Sequence, residues 1–128
     1  KGLELMDRLT TVFTMQEAFM RRLASSNDSF PKEWPLDMSL KASQVEVRDI
    51  IYHSMGELFE IVQELKNSKK HRTTEIKELD RSKLVYESVD AFKLLLEALI
   101  LIGVTPDEFF EAYVIKDKLI NERIDQKY

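Results

Sequence analysis

The chain has no cysteine. A disulfide framework and thiolate metal sites are therefore excluded. Histidine is scarce too, with only His53 and His71, and neither shows the paired ligand spacing of a zinc site. Glycine and proline number three each and fall almost entirely where helices should break, which favours an all-α reading. No apolar run approaches the roughly 18 residues of a membrane span; the longest, Leu94 to Val104, is broken by Glu97 and Gly103. A basic excess is lacking as well. Lys and Arg total 19 against 23 Asp and Glu, a net charge of -4, which argues against a general nucleic-acid binder. What remains is 128 residues with 44% hydrophobic and 33% charged positions, enough for one folded domain with a core.

Helical spacing of apolar residues predicts four helices. The first spans about Leu3 to Ala24, with Leu5, Leu9, Val12, Phe13, Phe19, Met20 and Leu23 as its apolar set. Residues 25–35 carry two prolines and a cluster of turn formers, and so form a loop. The second helix spans about Met38 to Lys66. A polar, basic loop follows from Asn67 to Thr74, then a third helix from about Ile76 to Ile102. Gly103 stops that helix. Thr105, Pro106 and Glu108 start the fourth as N-cap, first helical residue and capping-box partner, and it runs to about Asp125. The expected fold class is an all-α, four-helix bundle in a single domain over residues 1–128.

Two helices carry the wrong residues for a plain bundle. On the second, Ile51, Met55, Leu58, Val62 and Leu65 form the apolar stripe, while Glu46, Asp49, His53, Glu57, Glu60 and Glu64 line another face. Like charges at these spacings repel by a few tenths of a kcal/mol per pair. The third helix is apolar nearly all round, yet contains Glu87 and Asp90. An ionised carboxylate among apolar groups must find a cation or take a proton. Glu57 and Glu60, and Glu87 and Asp90, stand at i and i+3, each pair with β-carbons roughly 5–6 Å apart. Side by side, the two helices would converge four carboxylates. Hard divalent cations, Mg²⁺ or Mn²⁺, take such oxygen ligands; Lys83 and Lys93 are the alternative counter-charges, giving structural ion pairs. The acidic i, i+3 pattern also occurs at Glu75/Glu78 and Glu108/Glu111. What separates the two chosen pairs is their apolar context on consecutive helices.

Glu57-Leu-Phe-Glu60, then 26 residues, then Glu87-Ser-Val-Asp90 resembles the signature of the all-α nucleoside triphosphate pyrophosphatases, the MazG-like enzymes and dimeric dUTPases. Met15-Gln16 resembles the Met-Gln of their first helix. Val89-Asp90-Ala91-Phe92 with Leu101 to Phe110 resembles their third-to-fourth helix junction, and the Tyr113 to Tyr128 tail resembles their closing segment. The likeness extends to the phage-type dCTP pyrophosphatases.

The resemblance implies hydrolysis of a pyrimidine deoxynucleoside triphosphate, dCTP and/or dUTP, to the monophosphate and pyrophosphate. Mg²⁺ would be the cofactor, with Mn²⁺ able to substitute. It implies Glu57 as the catalytic group acting on water, with Glu57, Glu60, Glu87 and Asp90 as metal ligands. Lys116, Lys118, Asn121 and Arg123 would contact substrate, and Gln16 could read a pyrimidine edge, with Trp34 or Phe13 stacking on the base. It further implies a homodimer or higher homo-oligomer that completes the bundle, no nucleic-acid or membrane partner, and the cytoplasm of a bacterium or phage-infected host. Two readings compete: a broad MazG-like housecleaning pyrophosphatase, and a non-catalytic helical interaction module.

Overall fold

The computed structural model of the protein describes residues 7–65, 69–73, 75 and 78–126. Among these residues it is all-α, with four helices and no strand: α1 Arg8–Ser26, α2 Lys41–Gln63, α3 Arg81–Ile102 and α4 Pro106–Asp125. None is long and apolar enough to cross a membrane. The expected helices are all present, and three of them start later than apolar spacing suggests; at α1 and α3 a short polar side chain holds the first turn, whereas α2 follows Leu40 without a side-chain cap. Asp7 Oδ1 accepts from Thr10 N–H at 2.8 Å, so α1 begins at Arg8. Asp37 accepts from Ser39 N–H and Oγ–H, holding a turn ahead of α2. Asp80 accepts from Lys83 N–H at 3.0 Å at the start of α3. The expected starts at Leu3 and Ile76, the Leu5 position, the Lys66 end of the second helix and the Asn67 and Thr74 ends of the basic loop lie outside the described residues.

The chain divides into two compact units: residues 1–36 with 99–128, and residues 37–98. α3 contributes to both, passing from the second into the first at Leu99.

In the first unit, α1 buries Phe13, Gln16, Met20 and Ala24. This is a helical line at three- and four-residue steps. Phe13 meets Phe109 of α4 with ring centroids 6.3 Å apart. The end of α3 is a Schellman motif: Val104 N–H reaches Leu99 O at 2.9 Å and Gly103 N–H reaches Ile100 O at 3.0 Å. Leu36 N–H donates to Leu101 O at 2.8 Å, so the loop satisfies one of the carbonyls left open there. Gly103 has φ +98°, and a β-carbon on it would stand 2.9 Å from Pro35 Cβ. Gly103→Ala should therefore destabilise the protein by about 2 kcal/mol, from left-handed backbone strain plus displacement of Pro35. Urea unfolding would measure this; a loss under 0.5 kcal/mol, the ordinary range for a surface change, would show that the turn has another way to close. Thr105 Oγ1 then accepts from Glu108 N–H at 3.1 Å, with Pro106 in the first turn, so α4 starts where its cap residues predict.

In the second unit, α2 and α3 run antiparallel. Glu64 near the end of α2 meets Lys83 near the start of α3, at 3.4 Å. Glu57 meets Glu87 and Asp90 further along. Glu46, early in α2, faces Glu97, late in α3. The buried line of α2 is Val47, Ile50 and Ser54, continued by half-buried Glu57 and Ile61 and by buried Glu64. This corrects the expected orientation of the helix. The stripe Ile51, Met55, Leu58, Val62 and Leu65 is exposed, roughly a quarter of a turn from the buried line at 100° per residue. The periodicity is real, but the partner helix meets the neighbouring, carboxylate-bearing face. α3 also departs from being buried all round: Ala91, Leu96, Ala98, Ile100 and Leu101 are buried, while Val85, Tyr86, Val89 and Phe92 are exposed.

Candidate functional site

Helix periodicity places Glu57 and Glu60 one turn apart on α2, and Glu87 and Asp90 one turn apart on α3. The antiparallel pairing sets these turns against each other. Carboxylate oxygens of Glu57, Glu87 and Asp90 lie within 4.8 Å of one another. Glu60 joins them through hydrogen-bonding contacts with the carboxyls of Glu57 and Glu87. All four predicted carboxylates are thus brought together, two half-buried (Glu57 and Glu87) and two exposed.

This arrangement is electrostatically unfavourable by itself. Glu57 is pushed above the usual carboxylate range by desolvation first, then by the charges of Glu60 and Asp90. Glu87 is pushed up by its hydrogen bond with Glu60, then by desolvation and by the same neighbours. Carboxyls that share a site resist ionising together. Among the described residues, His53 opposes Glu57: its Nε2 stands 3.6 Å from Glu57 Oε1 and carries a charge only when protonated. Lys83, the alternative counter-charge, is engaged with Glu64.

A second acidic spot went unread in the sequence. Glu97 is buried at 7% exposure, and burial together with the Glu46 charge raises its pKa, against His53 and Lys93. Its signal was present: a single acid inside the Leu94–Val104 run, opposite Glu46 in the antiparallel register.

The expected substrate contacts belong to the first unit. Lys116, Lys118, Asn121 and Arg123 are all exposed on α4. Asn121 Nδ2 donates to Asp117 O at 2.8 Å and is partly occupied within its own helix. Gln16 is buried on α1, at 1% exposure, in line with Phe13 and Met20. Trp34 pins its loop: its indole N–H donates to Glu17 Oε2 at 2.7 Å, Arg21 lies 3.8 Å over its ring, and Phe30 meets it edge-on. Phe13, Glu17 and Trp34 line a cavity of about 280 Å³ in the first unit.

The cluster's donor set is all oxygen, the kind Mg²⁺ and Mn²⁺ take and zinc favours less. A divalent cation would relieve the repulsion that raises Glu57 and Glu87. Comparison of the chain with family models, with curated proteins and with solved structures finds no match.

Proposed function

We propose that residues 1–128 form a single Mg²⁺-dependent nucleoside triphosphate pyrophosphohydrolase domain of the MazG-like, dimeric-dUTPase type. Its substrate would be dCTP and/or dUTP, cleaved to the monophosphate and pyrophosphate. The observation that carries this reading is the convergence of Glu57, Glu60, Glu87 and Asp90 from facing turns of α2 and α3.

In this reading Glu60, Glu87 and Asp90 would hold the cation together with Glu57. When bound, Mg²⁺, or Mn²⁺ in its place, would supply neutralisation of triphosphate charge and a lower water pKa. Glu57 orients that water and accepts its proton as the water oxygen attacks phosphorus. The bond that breaks is the α–β phosphoanhydride, giving the monophosphate and pyrophosphate, with the electron pair going to whichever of the two is expelled. Its half-buried position suits a general base, because desolvation raises its proton affinity. Lys116, Lys118 and Arg123 are suited to phosphate oxygens, Arg123 by bidentate contact, with Asn121 as a further donor. Gln16 is the residue assigned to the base edge. The protein would work in the cytoplasm, as a homodimer.

The test is pyrophosphate release from the four common deoxynucleotides, dUTP and the ribonucleotides, with Mg²⁺ and with EDTA. Metal-dependent release confined to dCTP and dUTP is expected. Release from many nucleotides would move the protein to a broad housecleaning role. No release from folded protein would overturn the enzyme reading. The exposed apolar stripes of α2 and α4 favour, as the second reading, a helical interaction module.

A further inference from the structure

Gly56 stands in the interior of α2, next to Glu57. A glycine there weakens the helix relative to alanine, and packing does not call for it. Among the described residues, a β-carbon on Gly56 would meet no atom within 4 Å apart from its chain neighbours and its own helix backbone. Gly103 is different, because its positive φ and its approach to Pro35 both require glycine.

At 100° per residue, Asp49, His53, Gly56 and Glu60 follow one flank of α2 at steps of four, three and four. All four are exposed. The buried line that meets α3 separates this flank from the stripe at Ile51, Met55, Leu58 and Val62. His53 reaches the carboxylate cluster at Glu57, and Glu60 belongs to it. Gly56 therefore leaves a gap between His53 and Glu60, on the open side of the cluster. The N–H and C=O of a mid-helix residue are engaged in the helix itself, so the gap offers no donor to a phosphate oxygen. It suits an uncharged group lying flat against backbone. In a deoxynucleoside triphosphate that group is the sugar, one ester link from the α-phosphate whose bond to the β-phosphate breaks.

We propose that the deoxyribose of the substrate lies against α2 at Gly56, and that the missing side chain is what admits it. This rests on the pyrophosphohydrolase reading and makes Gly56 a determinant of substrate affinity, with no part in the chemical step.

The test uses Gly56→Ala and Gly56→Leu. In EDTA the Tm of Gly56→Ala should rise by about 4 °C, since alanine is the better helix former and finds open space. With Mg²⁺, KM for dCTP or dUTP should rise about 10-fold in Gly56→Ala and about 100-fold in Gly56→Leu, the range that overpacking a close contact produces. Uniform loss of binding leaves kcat unchanged. Melting with Mg²⁺ and either dCMP, dUMP or pyrophosphate then separates sugar from phosphate. Stabilisation by the monophosphates should vanish in Gly56→Leu, while stabilisation by pyrophosphate persists. An unchanged KM in both variants would overturn the proposal, and so would a lower Tm in Gly56→Ala, which would mean that the protein itself fills the gap. Equal loss of pyrophosphate binding would give the gap to the phosphates and overturn the sugar assignment. No pyrophosphate release from the unaltered protein would overturn the enzyme reading and this proposal with it.

Discussion

Glu57→Gln should lower pyrophosphate release by about 10²- to 10⁴-fold, the usual worth of a positioned general base, while far-ultraviolet circular dichroism stays unchanged. The amide keeps the size and shape of the carboxyl and removes its capacity to accept a proton. Glu57 is half-buried beside three other carboxyls, so removing its charge relieves repulsion and should not cost the fold. Glu75→Gln, in an i, i+3 acidic pair outside the cluster, is the control and should keep its rate. Normal turnover in the Glu57 variant would remove the residue from the chemistry.

Metal should change stability as well as rate. Mg²⁺ at 100 times its Kd is expected to stabilise the fold by about 2.7 kcal/mol, a rise in Tm of about 10 °C for a chain of this size. The pH dependence should have opposite signs with and without metal. In EDTA, Glu57 and Glu87 hold protons more tightly folded than unfolded, where their ordinary pKa is 4.5. Their contribution is fully present below that value and is lost as pH rises through the raised folded values. Metal-free Tm should therefore climb as pH is lowered from neutral toward 5, in the direction Glu97 also drives it. Asp7 and Asp37, whose pKa values are lowered from 3.8, act oppositely, below that range. Glu87→Gln should raise the metal-free Tm at neutral pH and flatten the climb. With Mg²⁺ the ionised cluster is the binding form, so the metal's stabilisation should grow with pH. Scanning calorimetry across pH 5–8, with EDTA and with Mg²⁺, checks both signs. A Tm that ignores Mg²⁺ at every pH would leave the four carboxylates without a cation.

The sequence was legible wherever a short-range rule applied. Gly103 with Thr105 and Pro106 marks the α3–α4 junction because a left-handed cap and a side-chain N-cap are local devices. Glu57 with Glu60, and Glu87 with Asp90, share faces because helix pitch puts them there. Their convergence required one further step, the pairing of consecutive helices. The orientation of α2 was not legible. Its stripe at Ile51, Met55, Leu58 and Val62 has the periodicity of a buried face, and a helical wheel carries no information about which side a neighbour covers. Gln16 and Trp34 are of the same kind. A glutamine in the Phe13–Met20–Ala24 line and a tryptophan tied to Glu17 and Arg21 look, as sequence, equally suited to solvent or to a ligand.

By itself, then, the sequence determined four helices, the stop of α3 and the start of α4, and two acidic pairs on consecutive elements, because caps, pitch and backbone strain act within a few residues. Only the tertiary structure decided that α2 turns Glu57 and Glu64 toward α3, that Lys83 neutralises Glu64 and not Glu87, and that Glu97 is buried opposite Glu46. Those outcomes depend on which surfaces lose water against one another. That is a competition among distant side chains, and no local pattern along the chain encodes it.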